Sequence, residues 1–122
     1  MTKTATIRMK MPSLNDYIRI CRANRFAAAG LKKETEEEII ESIKDLPRFE
    51  EPVEINFLWT EANKRRDYDN IAFAKKFVLD ALVKSGKLQN DDRKHVTGFS
   101  DDFRTGDEYS CTITIKTAKK AK

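Results

Sequence analysis

The strongest indication of the fold is in residues 53–82, VEINFLWTEANKRRDYDNIAFAKKFVLDAL. The first part of this stretch, residues 53–60, alternates between apolar and other side chains, which is the period-two pattern of a half-buried strand. The apolar side of this strand consists of Val53, Ile55, Phe57 and Trp59. From about Asn70 onward the apolar residues recur at steps of three and four, which predicts an amphipathic helix. Asp69 or Asn70 is its natural N-cap, and we expect Gly86 to end it.

The segment before this stretch predicts a strand and then a helix. Residues 4–11 alternate and stop at Pro12, which is typical of a half-buried strand and its end. Ser13 is a good N-cap for a helix over residues 14–29, and Gly30 is expected to end or interrupt that helix.

More helical structure is predicted after Gly30. Thr35 and Glu38 have the spacing of a capping box, and an apolar stripe then continues until Pro47 closes it. The pattern fits either two helices or one long kinked helix between residues 14 and 46, and both alternatives stay open at this point.

The end of the chain predicts two more strands. Residues 95–103 and 109–117 both have strand patterns, and the turn between them suggests a hairpin. The last residues, 116–122, predict a frayed basic tail. Taken together, residues 1–122 predict a single small α+β domain, with one mixed β-sheet and helices packed mainly on one face.

The composition restricts the class of protein. Of the 122 residues, 36% are charged, with 24 basic and 20 acidic residues and a net charge of +4. This balance suits a nucleic-acid partner only if the cations are grouped in space. No apolar run approaches about 18 residues, so we expect no membrane span and no membrane partner. The chain start lacks the apolar core of a signal peptide. Cys21, Cys111 and His95 show no zinc spacing, and a reducing cytoplasmic location fits best.

Acidic residues are the strongest candidates for chemistry. Neither a GxxxxGK[ST] phosphate loop nor a GxSxG nucleophile motif occurs. Asp67 and Asp69 stand two positions apart, so in an extended chain they point to one side with Cα atoms about 6–7 Å apart. Two carboxylates at this separation can share a divalent cation, whereas without a cation their repulsion raises a pKa.

A lysine and two further acids accompany this pair. Lys76 and Asp80 have i,i+4 spacing, and on a regular helix both lie within about 40° of Asp69. Asp91 and Asp92 follow the helix, and they return to its start if the next strand pairs beside the strand that precedes the helix, which we expect. Three carboxylates and a lysine favour Mg²⁺ or Mn²⁺ and phosphoryl-transfer chemistry.

Each feature also has a plainer interpretation. DxD pairs are commonly solvated loop acids, the Asp91–Asp92 pair resembles an ordinary turn, and residues 64–66 fit a solvated strand end. The combination in this order is what favours a metal-dependent site.

Four motifs follow one another in the chain: RRDYDN, KFVLDAL, a glycine and DD. In this order they resemble the RusA family of Holliday junction resolvases, which are DNA endonucleases common in bacteriophages and prophages. MPSLN resembles the P-P-S-x-N of that family, so the resemblance extends from Pro12 to about Asp92. It implies a RusA-like fold and a crossover junction endodeoxyribonuclease of DNA recombination and repair. The implied cofactor is Mg²⁺, for which Mn²⁺ substitutes, and the implied partner is a four-way DNA junction bound by a homodimer.

The resemblance also implies roles for individual residues. The metal-binding carboxylates are matched by Asp67, Asp69 and Asp92. The residues expected on DNA are Lys64, Arg65, Arg66 and Lys75. Asp91 could assist or replace Asp92, and Asn70 matches the motif asparagine, which caps the helix or touches the site. Lys76 matches the catalytic lysine when the alignment starts from DAL.

The chain departs from the family pattern at one point. About three additional residues separate Asn70 from the lysine, so either Lys75 or Lys76 could act as the catalytic lysine. Two other hypotheses remain beside junction resolution. One is a nuclease for flaps or forks, and the other is a non-enzymatic module that binds nucleic acid or protein, in which Asp67 and Asp69 only cap the helix.

Overall fold

The computed structural model describes residues 1–117 as four strands and four helices. In chain order these are β1 (Thr2–Ile7), α1 (Leu14–Ala23), α2 (Arg25–Ser42), β2 (Val53–Glu61), α3 (Tyr68–Ala72), α4 (Lys75–Lys84), β3 (Val96–Thr105) and β4 (Ser110–Thr117). The strands form one mixed sheet in the order β1-β4-β2-β3. The expected α+β fold with a mixed sheet is therefore confirmed. No helix within residues 1–117 has the length and apolar character needed to cross a membrane.

One hydrophobic core lies between the helices and one face of the sheet. The alternating residues of β2 and β4, such as Phe57 and Ile113, are fully buried there against Val78 and Leu82 of α4. The opposite face of the sheet is polar, with threonine pairs between β1 and β4 such as Thr6 and Thr112, whose hydroxyl groups lie 3.2 Å apart. The helices therefore cover one face, as the sequence predicts.

The pairing of β3 is partly as expected and partly different. β3 lies beside β2 and runs parallel to it, which confirms the expected neighbour, and the chain crosses over between them through α3 and α4. The predicted hairpin of β3 with β4 is wrong, because β2 lies between these two strands. The physical reason is burial: β4 contributes Cys111, Ile113 and Ile115 to the core, whereas β3 carries Asp101 and Asp102 and takes the edge.

The first two helices are separated at Asn24 and not at Gly30. Asn24 has an extended backbone, and its side chain accepts the N–H groups of Phe26 and Ala27, so it ends α1 and caps α2. Gly30 lies inside α2, as does the predicted Thr35 capping box. An asparagine cap satisfies orphan N–H groups, which a helical glycine cannot do, and this explains the position of the break. Ser13 caps α1 as predicted.

The helical stretch after β2 begins earlier than predicted and is interrupted. α3 has Asp67 as its N-cap position, without a side-chain cap bond, so the predicted caps at Asp69 and Asn70 are wrong. α4 starts after a tight turn at residues 73–74. Gly86 follows α4 with a φ of +77°, which confirms its expected role as the helix stop, because this left-handed conformation favours glycine.

Two boundaries at the chain ends also differ from the sequence prediction. β1 stops at Ile7 instead of continuing to Met11, although Met11 is buried in the core. Lys116 and Thr117 belong to β4, paired with β1 and β2, so the predicted frayed tail does not begin at residue 116. The rest of that predicted tail, residues 118–122, lies outside the described residues.

Candidate functional site

The D-x-D-N segment lies at the carboxyl end of the parallel pair β2–β3, an edge at which sheets of this kind commonly bind ligands. Asp67 has an extended backbone, and its carbonyl accepts the Ile71 N–H at 3.1 Å, which begins α3. The side chains of Asp67 and Asp69 are exposed and form no ion pair within residues 1–117. Both carboxylates are therefore accessible to a ligand from solvent.

Asn70 connects this segment to the start of α1. Its side-chain oxygen accepts the backbone N–H of Asn15 at 3.1 Å. Ser13 and Asp16 form a capping box around the same helix start. Burial alone would raise the pKa of Asp16, but hydrogen bonds from Ser13 and the charge of Arg19 hold this pKa below its usual value. The PSLN and DxDN segments, far apart in sequence, are thus in direct contact.

The basic run before the acids divides into two kinds of side chain. Lys64 and Arg65 are exposed, which agrees with a DNA-facing position. Arg66 instead donates to both carboxylate oxygens of Glu61, at 2.6 and 2.8 Å, and to the carbonyl of Met11 at 2.8 Å. The guanidinium of Arg66 therefore ties β2 to the segment before α1, and its donors are directed into the protein.

Lys75 is directed toward the sheet and away from the exposed basic run. Its ammonium group donates to Asp101 of β3 at 2.7 Å and lies over the rings of Phe57 and Phe99. Asp101 also accepts the indole N–H of Trp59 at 2.9 Å. Lys75 was expected to bind DNA, but its ammonium group already forms an ion pair with Asp101. A structural role therefore fits its surroundings better. The sequence analysis did not single out Asp101, because its partners are distant in sequence.

Lys76 is the lysine that lies near the acidic pair after α4. Its amino nitrogen is 3.1 Å from Asp80, as the i,i+4 spacing predicts, and 3.5 Å from Asp91. The hydrogen bond with Asp80 is the main reason that the pKa of Lys76 is raised, and the charge of Asp91 acts in the same direction. Lys76 is therefore a fixed positive charge between two carboxylates.

Asp91 and Asp92 have different environments. Asp92 accepts the backbone N–H groups of Lys94 and His95, and one of its oxygens lies 2.5 Å from the His95 ring nitrogen Nδ1. The hydrogen bond with His95 lowers the pKa of the Asp92 carboxyl. Asp92 thus stabilises the turn that leads into β3, whereas Asp91 is the acid of this pair that meets Lys76.

The donor chemistry of the acids fits a hard cation, but the three expected ligands are not gathered. Within residues 1–117, no three His, Cys, Asp or Glu side chains are grouped closely enough to hold a metal ion, so Asp67, Asp69 and Asp92 do not form one three-ligand site here. Mg²⁺ usually binds through one or two protein carboxylates, with water and substrate phosphates as its other ligands. The accessible Asp67 and Asp69 supply this kind of donor.

A further set of charges behind Lys76 was missed by the sequence analysis. Lys32 of α2 lies 3.3 Å from Asp80 and 3.7 Å from Glu36, and Lys84 forms a hydrogen bond with Glu36. Glu36 is only 2% exposed, and its oxygen Oε1 has no hydrogen-bond partner among the described residues. The i,i+4 spacings of Lys32 with Glu36 and of Asp80 with Lys84 are local signals for this network, which joins α2 to α4 and holds Asp80 beside Lys76.

A cavity of about 340 Å³ opens beside Asp67. Glu61, Arg66 and Ile71 line it together with residues from the end of β3. On one side the ring of Tyr68 stacks on Phe103, with ring centroids 4.3 Å apart. The cavity thus has an aromatic wall and charged residues, and it lies at the carboxyl end of the strands, where the D-x-D-N segment follows β2.

Comparison with known proteins adds no family to these observations. No protein-family model matches the chain, and no curated protein matches its sequence. The likeness to the RusA family consequently rests on the motifs of the sequence alone.

Proposed function

We propose that this protein is a Mg²⁺- or Mn²⁺-dependent DNA endonuclease that resolves four-way junctions. The observation that carries the proposal is that motif segments distant in sequence contact one another. Asn15 of PSLN donates to Asn70 of DxDN, and Lys76 before DAL lies 3.5 Å from Asp91 of the DD pair. Contacts of this kind between separate motif segments are expected of the parts of one site, whereas chance motif matches do not require them.

Each motif residue has a defined part in the proposed reaction. Asp67 and Asp69 would hold the cation, with water and the substrate phosphate as its other ligands, and the bound cation would supply an activated water and neutralise charge at the scissile phosphate. Lys76 stays protonated because Asp80 raises its pKa, so its charge is available to stabilise the extra negative charge of the transition state. Asp80 acts on the reaction only by positioning Lys76.

We propose that the protein acts as a homodimer. A four-way junction has two-fold symmetry, and two matched nicks are needed to resolve it, which a two-fold dimer supplies with one site in each subunit. The exposed Lys64 and Arg65 would bind phosphates near each site, so junction affinity would fall as salt increases. Light scattering at several protein concentrations tests the dimer directly.

Cleavage of a labelled four-way junction tests the proposal. We expect nicks that require Mg²⁺ or Mn²⁺, and a loss of rate of at least about 100-fold in Asp69→Asn, more than the loss of an outer-shell partner usually costs. Asp45→Asn is the matched control, because Asp45 is also an exposed aspartate but lies in the turn that follows α2. Wild-type cleavage by Asp69→Asn would remove the proposed site.

The same assay separates the alternative substrates. Equal amounts of junction, flap, fork and linear duplex are compared at one metal concentration. A rate that is highest on flaps or forks would keep the nuclease and change its substrate.

A non-enzymatic nucleic-acid-binding module is the second candidate. The observation in its favour is that Asp92 is engaged by His95 and that no three-carboxylate group forms within residues 1–117. This candidate predicts salt-sensitive binding of branched DNA without cleavage in either metal. Its binding would be unchanged in Asp69→Asn.

A further inference from the structure

The cavity beside Asp67 has features that the proposed hydrolysis does not use. We infer that it binds one unpaired nucleotide of a DNA strand, with the base stacked on Tyr68 and the phosphate held by Lys64 and Arg104. The inference rests on the proposed action on branched DNA and names the feature of the substrate that this site recognises.

The first support is the state of Tyr68. Its side chain is 68% exposed, although it carries a large aromatic ring. The ring is nevertheless held in place, because it stacks on Phe103 at 4.3 Å with planes inclined by 21°, and Phe103 packs against the core. A base that stacks on a ring already held in this way immobilises little additional side-chain freedom. Aromatic rings presented in this way are the usual platform for unpaired bases.

The second support is size. The cavity volume is about 340 Å³, which lies at the lower end of the range for small-ligand sites and suits one nucleotide. A base inside a duplex is stacked and paired, so it enters such a cavity only after leaving the helix. A base in a single strand has little or no such cost, and a base pair at an unstacked branch point has a lower cost because it lacks a stacked neighbour on one side.

The third support is charge. Three cations and two acids line the cavity, but the guanidinium of Arg66 is matched by the carboxylate of Glu61. The other charged residues of the cavity are Lys64, Arg104 and Asp67. Neither of these two cations forms an ion pair within residues 1–117. Arg104 donates from Nε to the Thr60 hydroxyl at 2.9 Å, which orients its guanidinium. Two cations without an ion-pair partner can bind the phosphate of a nucleotide, while its base stacks on the aromatic ring beside them.

The consequence is selectivity by unpaired structure. A nucleotide in this cavity lies next to Asp67, the first acid of the D-x-D-N segment. The neighbouring phosphodiester is then brought to the acids only when the strand has a nucleotide free to leave the stack. Intact duplex DNA lacks such a nucleotide and is bound only through its backbone.

The test uses the full protein in EDTA, so that binding is measured without cleavage. DNA carries the fluorescent base 2-aminopurine, either unpaired beside a branch or inside a duplex. We expect quenching of the unpaired probe by the wild type and by Tyr68→Phe, and little quenching by Tyr68→Ala. We also expect Tyr68→Ala to lose about tenfold in affinity for the branched DNA and almost none for duplex.

Phe99→Ala is the matched control. Phe99 lies in β3 and, like Tyr68, is an exposed aromatic residue, with 50% of its side chain exposed, but it does not line this cavity. We expect its variant to keep the quenching and the affinity of the wild type. Arg104→Gln provides a second measurement, since loss of one phosphate contact lowers the slope of log affinity against log salt by about 0.7 on single strands.

The outcomes distinguish this inference from the proposed function. Unchanged quenching and affinity in Tyr68→Ala would overturn the inference, and so would equal losses in Phe99→Ala. Equally tight competition by a free mononucleotide would show that the ligand is not part of a strand and would also overturn it. Quenching that depends on Tyr68, in a protein that cuts no DNA with Mg²⁺, would support the inference and reject the endonuclease.

Discussion

Replacement of Arg66 by methionine is expected to destabilise the fold more than it affects DNA contacts. Arg66 donates three hydrogen bonds, two to Glu61 at 2.6 and 2.8 Å and one to the Met11 carbonyl at 2.8 Å. The side chains of Arg66 and Glu61 are only 16% and 10% exposed. Methionine keeps much of the side-chain volume but leaves the Glu61 carboxylate and the Met11 carbonyl without these partners.

The size of the effect follows from this burial. Removal of one partner of a buried ion pair costs about 3–5 kcal/mol, because the other charge stays buried without compensation. We take about 3 kcal/mol, the lower limit, since both side chains keep some contact with water. For a domain of this length each kcal/mol lowers the melting temperature by about 4 °C, so the expected decrease is about 12 °C.

Urea unfolding followed by the fluorescence of Trp59, the single tryptophan, measures this loss. Arg65→Met is the control, because Arg65 is exposed, and we expect it to unfold within about 0.5 kcal/mol of the wild type. The double variant Arg66→Met/Glu61→Leu should recover part of the loss, since no buried charge then lacks a partner. An Arg66→Met protein as stable as Arg65→Met would contradict a structural role for the Arg66–Glu61 pair.

Three further predictions concern other contacts. Asn70→Ala should lower the free energy of unfolding by about 1 kcal/mol through loss of its bond to the α1 backbone, while Asn70→Asp, which keeps the acceptor, should lose less; equal losses would contradict this. His95→Gln should return the pKa of Asp92 toward 3.8 in an NMR titration. Because the pKa of Asp92 is lowered in the folded state, its ionised form contributes stability that is present above pH 3.8 and is lost as pH falls through the folded pKa. The variant should therefore lose less stability on acidification, and an unchanged titration of Asp92 would contradict the His95 contact. An aromatic disulfide reagent should modify Cys21 in the folded protein and Cys111 only after unfolding, since burial raises the pKa of Cys111 to about 12; two fast thiols would contradict the fold.

Features determined by neighbouring residues were predictable from the sequence. The alternation of residues 53–60 identified β2 and its buried face, Ser13 was recognised as a cap, and Gly86 was recognised as a helix stop. The pair Lys76–Asp80 followed from i,i+4 spacing in the same way. Each of these depends on a few adjacent residues, whose preferences tertiary packing did not override.

Features determined by distant residues were not predictable in this way. The hairpin expected between β3 and β4 depended on their closeness in sequence, whereas burial placed the more apolar strand at the centre and β3 at the edge. The ion pair of Lys75 with Asp101 likewise depends on the register of β3 against β2, which no local pattern specifies. The sequence analysis, which assigned Lys75 to DNA, did not predict this pairing for the same reason.

The tight turn between α3 and α4 explains how the two adjacent lysines acquire different surroundings. The N–H groups of Lys76 and Phe77 bond to carbonyls three residues earlier, at 3.2 and 3.0 Å, which is the 3₁₀ pattern and not the α-helical one. Phe73 and Phe77 hold this turn from the apolar side, since both rings lie within 6 Å of Tyr17 of α1. The turn is therefore fixed by core packing.

This turn also changes the direction in which α4 presents its side chains relative to α3. A 3₁₀ residue turns the chain by about 120°, compared with about 100° in an α-helix, so three such residues rotate α4 by about 60° relative to α3. On a regular helix Asp69, Lys76 and Asp80 would lie on one polar stripe. The turn instead rotates Lys76 and Asp80 by about 60° around the helix axis relative to Asp69. Lys75 then lies against Asp101 of the sheet, and Lys76 lies between Asp80 and Asp91. Of the two lysines, Lys76 is therefore the one whose charge can act beside the acids after α4, because its side chain is 62% exposed, whereas that of Lys75 is 18% exposed and paired with Asp101 inside the fold.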